Sequence, residues 1–126
     1  MNINLEFDSS VEKAPAGFTT AVQAAANALD ALLTDPITVN ISVGFGEIGG
    51  SPIPSPLSEG GPVVGTDLSY ADLQQAFAAH LSSAAQTEML ANLPTADPSG
   101  GSGFYVSPAE EKAWGLLPAD GTELDG

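Results

Sequence analysis

The sequence predicts an α/β (α+β) fold built on a βαβ unit, with a mixed, partly parallel sheet backed by helices. Three observations carry this expectation. Ile3, Leu5 and Phe7 alternate with Asn2, Asn4 and Glu6, the two-residue period of a strand with one buried face. From Gly17 to Thr34, the residues Phe18, Val22, Ala25, Leu29, Leu32 and Leu33 recur at helical spacing, and the alanines among them combine high helix propensity with room for close packing. Ile37, Val39, Ile41, Val43 and Phe45 then alternate with Thr38, Asn40, Ser42 and Gly44, a second and stronger strand signal. Strand, helix and strand in that order form a right-handed crossover with the two strands parallel.

The remaining elements follow from breakers and caps. Asp8 to Pro15 reads as a turn, and Asp35-Pro36 ends the first helix because a residue before proline is pushed out of the helical region. Glycines and prolines crowd the segment from Gly46 to Gly65, which excludes a long regular element. A loop of that length inside a compact domain is functional or mobile, and Ile48, Ile53, Leu57, Val63 and Val64 supply anchor points or short edge strands within it. Ser69-Tyr70-Ala71-Asp72 resembles a capping box with Asp in place of Glu, after which Tyr70, Leu73, Phe77 and Leu81 line one helix face. A short helix is expected over Ala84 to Leu93, with Met89, Leu90 and Leu93 inward, and a flexible loop over Asp97 to Gly103. Phe104-Tyr105-Val106 reads as a strand. Ser107 as N-cap, Pro108 at the first helical position and Glu110 two residues later open a last helix with Ala113, Trp114 and Leu117 as its buried face. Pro118 to Gly126 is expected to be a tail without a core of its own.

A chain of 126 residues fits a single domain, 1–126. A hydrophobic fraction of 43% and a mean hydropathy of +0.12 argue for a folded chain. Sixteen acidic residues face two lysines, Lys13 and Lys112, and no arginine, for a net charge of −14. Such a surface repels phosphate, so neither nucleic acid nor an anionic membrane is an expected partner. The acids are spread from Glu6 to Asp125, which reads as a solvated surface, or as oxygen ligands for Ca²⁺. The absence of cysteine fits a reducing cytosol or a secreted protein that avoids thiols. Met1 to Asn4 shows neither the basic nor the apolar region of a signal peptide, and no apolar run reaches the ~20 residues that span a bilayer.

With one histidine, His80, and no cysteine, the chain cannot assemble a zinc site from several His or Cys ligands. His80 falls near the apolar face of its helix and is expected at the edge of the core. No G-x-S-x-G elbow accompanies it. Gly44 to Gly49 matches G-x-G-x-x-G after a strand, yet Gly50, Pro52 and Pro54 prevent the helix a dinucleotide needs, and Glu47 would set a negative charge beside the pyrophosphate. A glycine-hinged strand end leading into an edge loop is the expectation instead. Gly100 to Tyr105 begins like a calcium-binding nonapeptide, but Tyr105 stands where that repeat needs aspartate. Asp120 to Gly126 lacks the alternating acids of an EF-hand. Asn40-Ile41-Ser42 is a formal glycosylation sequon set inside the strongest strand.

Four segments carry a family resemblance: Asn4 to Val11 (NLEFDSSV), Ala14 to Phe18 (APAGF), Val43 to Gly50 (VGFGEIGG), and Tyr105-Val106-Ser107 running to Trp114-Gly115-Leu116. Together they resemble bacterial secreted zincin-like zinc metalloproteases over nearly the whole chain. The resemblance implies the N-terminal half of a protease domain, followed in the family by an H-E-x-x-H helix that binds zinc and activates water. No such motif lies in this sequence, so no catalytic, cofactor-binding or metal residue carries over. The implied role is a non-catalytic N-terminal scaffold and substrate-cleft portion of a secreted metallopeptidase. Zinc is expected in a C-terminal half, and the implied partners are that half and a peptide or protein substrate. Gly46, Glu47, Ile48, Gly49 and Gly50 form the candidate substrate-edge loop, since they follow the strand best placed to offer an edge to an extended peptide. An alternative from another class is a calcium-stabilised structural or adhesive module of an acidic extracellular layer, which explains the charge without a second half.

Overall fold

The computed structural model describes residues 1–62 and 64–126; Val63, expected as an anchor point, lies outside them. β1 (Asn2–Phe7) and β2 (Thr38–Val43) pair in parallel, with Ile3 opposite Val39, Leu5 opposite Ile41 and Phe7 opposite Val43. The two apolar stripes read from the sequence therefore share one face of the sheet. The crossover is α1 (Phe18–Asp30), which packs along β1 and buries Ala26. A 3-10 helical turn, Ser9–Lys13, joins β1 to α1, with Asp8 as its N-cap.

α1 stops at Asp30, one turn short of the expected Thr34. Asp30 Oδ1 accepts the Ile3 N–H at 3.1 Å, so the helix end is tied to the outer edge of β1. Past that point the N–H groups of Leu32 and Leu33 both return to the Leu29 carbonyl, and the chain leaves the sheet before Pro36. Leu29, Leu32 and Leu33, expected inward, are consequently exposed, Leu32 by 76%.

Instead of one mixed sheet, the described residues hold three two-stranded sheets. β3 (Glu47–Ile48) and β4 (Ser51–Pro52) form an antiparallel hairpin through Gly49 and Gly50, whose φ of 55° and 83° suit glycine in a tight two-residue turn. β5 (Thr66–Leu68) pairs antiparallel with β6 (Phe104–Val106). Between β5 and β6 lie α2 (Tyr70–Ala79) and α3 (Ala84–Ala91), and α4 (Pro108–Ala113) follows. Ser69, Ser83 and Ser107 cap the three helices, and Ser107 with Glu110 completes a reciprocal capping box. Tyr70 stacks against Phe104 at 5.8 Å and donates to the Pro94 carbonyl at 2.7 Å, while Phe77 meets Trp114 edge-on at 4.9 Å. Met89, expected inward, is exposed.

The tail departs most from expectation. Thr38 N–H donates to Ala119 O (2.7 Å), Asp125 N–H to Asn40 O (2.8 Å) and Ser42 N–H to Gly126 O (2.6 Å), so residues 119–126 cover the outer edge of β2. A buried polar cluster fastens it. The Lys112 side chain has no exposed surface, and its ammonium lies 2.7 Å from Asp125 Oδ2 and donates to Thr38 O at 3.1 Å. Asp125 Oδ2 also accepts the Asn40 N–H, and the Asn40 amide donates to the Gly121 and Glu123 carbonyls. Asn40 is thus a structural buried residue within its sequon. For the same reason α4 buries Pro108, Glu111 and Lys112, whereas Ala113, Trp114 and Leu117 are only half-buried.

The accessible surface is 8016 Å², against about 6200 Å² for a compact monomer of this mass. The surplus matches a small set of buried apolar side chains, among them Ile3, Ile37, Leu73 and Val106, with others such as Leu57 and Val64 left in solvent.

Candidate functional site

A cleft of about 990 Å³ opens between β2, the loop that follows it, and the end of the tail. Its floor is the apolar face of β2, Val39, Ile41 and Val43, and Phe18 at the start of α1 extends it. Ile53 and Leu57 come from the breaker-rich loop, and Leu124 from the tail. The volume and the largely apolar lining are those of a site for a small molecule or a few peptide residues.

The strand end is built to turn the loop over this floor. Phe45 packs edge-on against Phe18 at 5.3 Å, and its N–H donates to Ser10 Oγ at 2.7 Å. Ser10 donates in turn to Asp8 Oδ1 from both its hydroxyl and its N–H. Gly46 takes a φ of 71°, and its carbonyl accepts the Ile53 N–H at 2.9 Å, closing the base of the β3–β4 hairpin. Gly44 leaves space for two carboxyl groups: a Cβ there would lie 2.6 Å from Glu47 Oε1 and 2.8 Å from Asp8 Oδ2.

Those two carboxyl groups shift each other's titration in opposite directions. Asp8 is held below the usual carboxylate range, first by the Ser10 hydroxyl and then by the hydrogen bond from Glu47. Glu47 is pushed above its ordinary value by that same hydrogen bond to Asp8, then by burial and by the Asp8 charge, with Lys13 pulling weakly the other way. Such a pair can hold one proton or, once ionised, a cation.

Of the expected substrate-edge loop, Gly46, Glu47, Ile48 and Gly49 line the cleft, and Gly50 stands just behind Glu47. The open sheet edge expected beside them is taken by the tail from Thr38 to Ser42. The G-x-G-x-x-G match leads into a hairpin and no helix, as its prolines require. His80 lies away from the cleft at the C-terminal cap of α2; it is exposed, unlike the core-edge residue expected, with Nδ1 3.1 Å from Ala76 O. Asp97 orders the loop expected to be flexible: its carboxylate accepts from Ser99 N–H, Ser99 Oγ and Gly101 N–H, and the Ser99 hydroxyl above all holds it below the usual range. Among the described residues no group of three or more His, Cys, Asp or Glu could hold a metal ion, and no helix is long and apolar enough to cross a membrane.

Sequence reasoning missed Asp8, Ser10 and the tail as parts of the site. Asp8-Ser9-Ser10 was readable as a turn in which a carboxylate accepts from the residue two positions on. No local pattern announces the pairing of residues 119–126 with β2, because it depends on a lysine in α4. Compared with known proteins, the chain matches no family model, no curated protein and no solved structure.

Proposed function

We propose that this chain is a non-catalytic scaffold and substrate-cleft portion of a secreted bacterial zinc metallopeptidase, and that its cleft seats an extended peptide. The observation that carries the reading is the apolar cleft on β2, whose wall includes four of the five residues expected as a substrate-edge loop. The surface surplus and the exposed apolar side chains support a chain that packs against further protein. On this reading zinc and the water-activating glutamate are supplied from outside these residues, and this part orients the substrate.

The test is deletion of residues 50–62 from a form of the protein that carries an H-E-x-x-H segment. Peptide cleavage and peptide affinity should both fall at least about tenfold, the equivalent of ~1.4 kcal/mol. Unchanged binding and cleavage would overturn the reading. A melting temperature raised by Ca²⁺ and restored by EDTA in the chain alone would instead favour the calcium-ordered extracellular module.

A further inference from the structure

We infer that the cleft selects peptides in which a lysine or arginine is flanked by aliphatic residues, its cation seated between Asp8 and Glu47. The inference rests on the peptide-cleft reading above and names the substrate class. The residues lining the cleft include Asp8, Glu47, Glu59 and Asp125, and no lysine, arginine or histidine. Asp125 is neutralised by Lys112 through Oδ2. Asp8 and Glu47 have no such cation bonded to them. They meet over Gly44, whose lack of a side chain lets both carboxyl groups stand together at the strand end.

Charge complementarity therefore decides the occupant. A purely apolar peptide would satisfy Val43, Phe45 and Leu57 but leave the paired carboxyl groups facing each other. A peptide with a basic side chain satisfies both, because a guest ammonium or guanidinium binds two neighbouring carboxylates at once. The long methylene stem of such a side chain also suits a cleft whose floor is apolar and whose acids stand at the strand end. An acidic peptide would add a further acid beside Asp8, Glu47 and Glu59. With a net charge of −14, the whole chain reinforces that order by attracting cationic segments and repelling anionic ones.

The experiment is calorimetric titration of the intact chain at neutral pH with three capped pentapeptides, alike except for a central lysine, norleucine or glutamate between valines. The lysine peptide should bind about tenfold more tightly than the norleucine peptide, and the glutamate peptide more weakly than either. The Asp8→Asn/Glu47→Gln double variant, checked for its fold by circular dichroism, should bind the lysine and norleucine peptides equally. Should that variant fail to fold, salt provides the second measurement: the preference of the unmodified chain for lysine should shrink at about 0.5 M salt. Equal binding of the lysine and norleucine peptides, or a preference indifferent both to salt and to the double substitution, overturns the basic-residue specificity alone. Failure of all three peptides to bind overturns the peptide-cleft reading as well.

Discussion

Replacing Asp125 by alanine would strip the fully buried Lys112 ammonium of its closest partner, now 2.7 Å away. The ammonium would keep the Thr38 carbonyl at 3.1 Å and Glu123 at 3.5 Å, and the Asn40 N–H would lose its acceptor. Removing one member of a buried ion pair costs about 3–5 kcal/mol. The retained contacts place this case near the lower end, at about 3 kcal/mol, a large share of the ~5–15 kcal/mol that holds a domain together. At roughly 4 °C per kcal/mol for a chain of this size, the melting temperature should fall by about 12 °C. Thermal unfolding followed by circular dichroism measures the shift. Hydrogen exchange at the Thr38 and Ser42 amides, which the tail protects, reports whether residues 119–126 detach. The Lys112→Met/Asp125→Leu double variant should regain most of the loss, since it removes both charges and fills the space. A fall of less than about 3 °C in Asp125→Ala, or a double variant no better than the single one, would refute the role given to this pair.

Three further outcomes are expected. The pair of Asp8 and Glu47 should make stability depend on pH with a definite sign. Glu47, raised in the folded state, contributes below its unfolded pKa and loses that contribution as pH rises through its folded value; Asp8, lowered, contributes above its unfolded pKa and loses it as pH falls through its folded value. The combined contribution therefore peaks in the acid range, and toward neutral pH the Glu47 part is lost while the Asp8 part remains. Melting curves from pH 4 to 7 should show a decline in the unmodified chain that Glu47→Gln, whose amide keeps a donor at all pH values, flattens. Gly65→Ala would set a Cβ 2.6 Å from the Val106 carbonyl oxygen and against the Tyr105 ring, displacing β6 from β5 at a cost of about 1–3 kcal/mol, measurable by urea unfolding. Ser107→Ala removes the hydroxyl that caps α4 and accepts from Glu110 N–H, which should cost about 1 kcal/mol in the same assay.

The βαβ unit was legible because its signals are local and its period unbroken: Ile3, Leu5 and Phe7 could face a core only as a strand, and Phe18 to Asp30 only as a helix. The caps at Ser69 and Ser107 were legible for the same reason, each one residue before the helix it opens, whereas the Ser83 cap of α3 went unread. Sheet membership was not legible. Whether β5 and β6 join β1 and β2 or stand apart depends on which edges remain free, and the β2 edge is covered by a tail held through Lys112 and Asp125, a contact that no periodicity encodes. The candidate site was half legible. Gly46 to Gly49 followed from glycine placement after a strong strand, but Asp8 reaches Glu47 only because parallel pairing brings the ends of β1 and β2 together. His80 was misplaced because a histidine at the last turn of a helix can cap it from the solvent side.

The tail along β2 sets a competition that any incoming strand must win. Tethered a few residues beyond α4, residues 119–126 present themselves to the β2 backbone at an effective concentration on the order of millimolar. A free peptide at micromolar concentration loses that contest for main-chain bonding between Thr38 and Ser42. Main-chain pairing is nearly blind to sequence, so withholding it leaves a guest to be judged by its side chains. A groove that has already occupied its own strand edge is thereby biased toward weak binding with sharp discrimination.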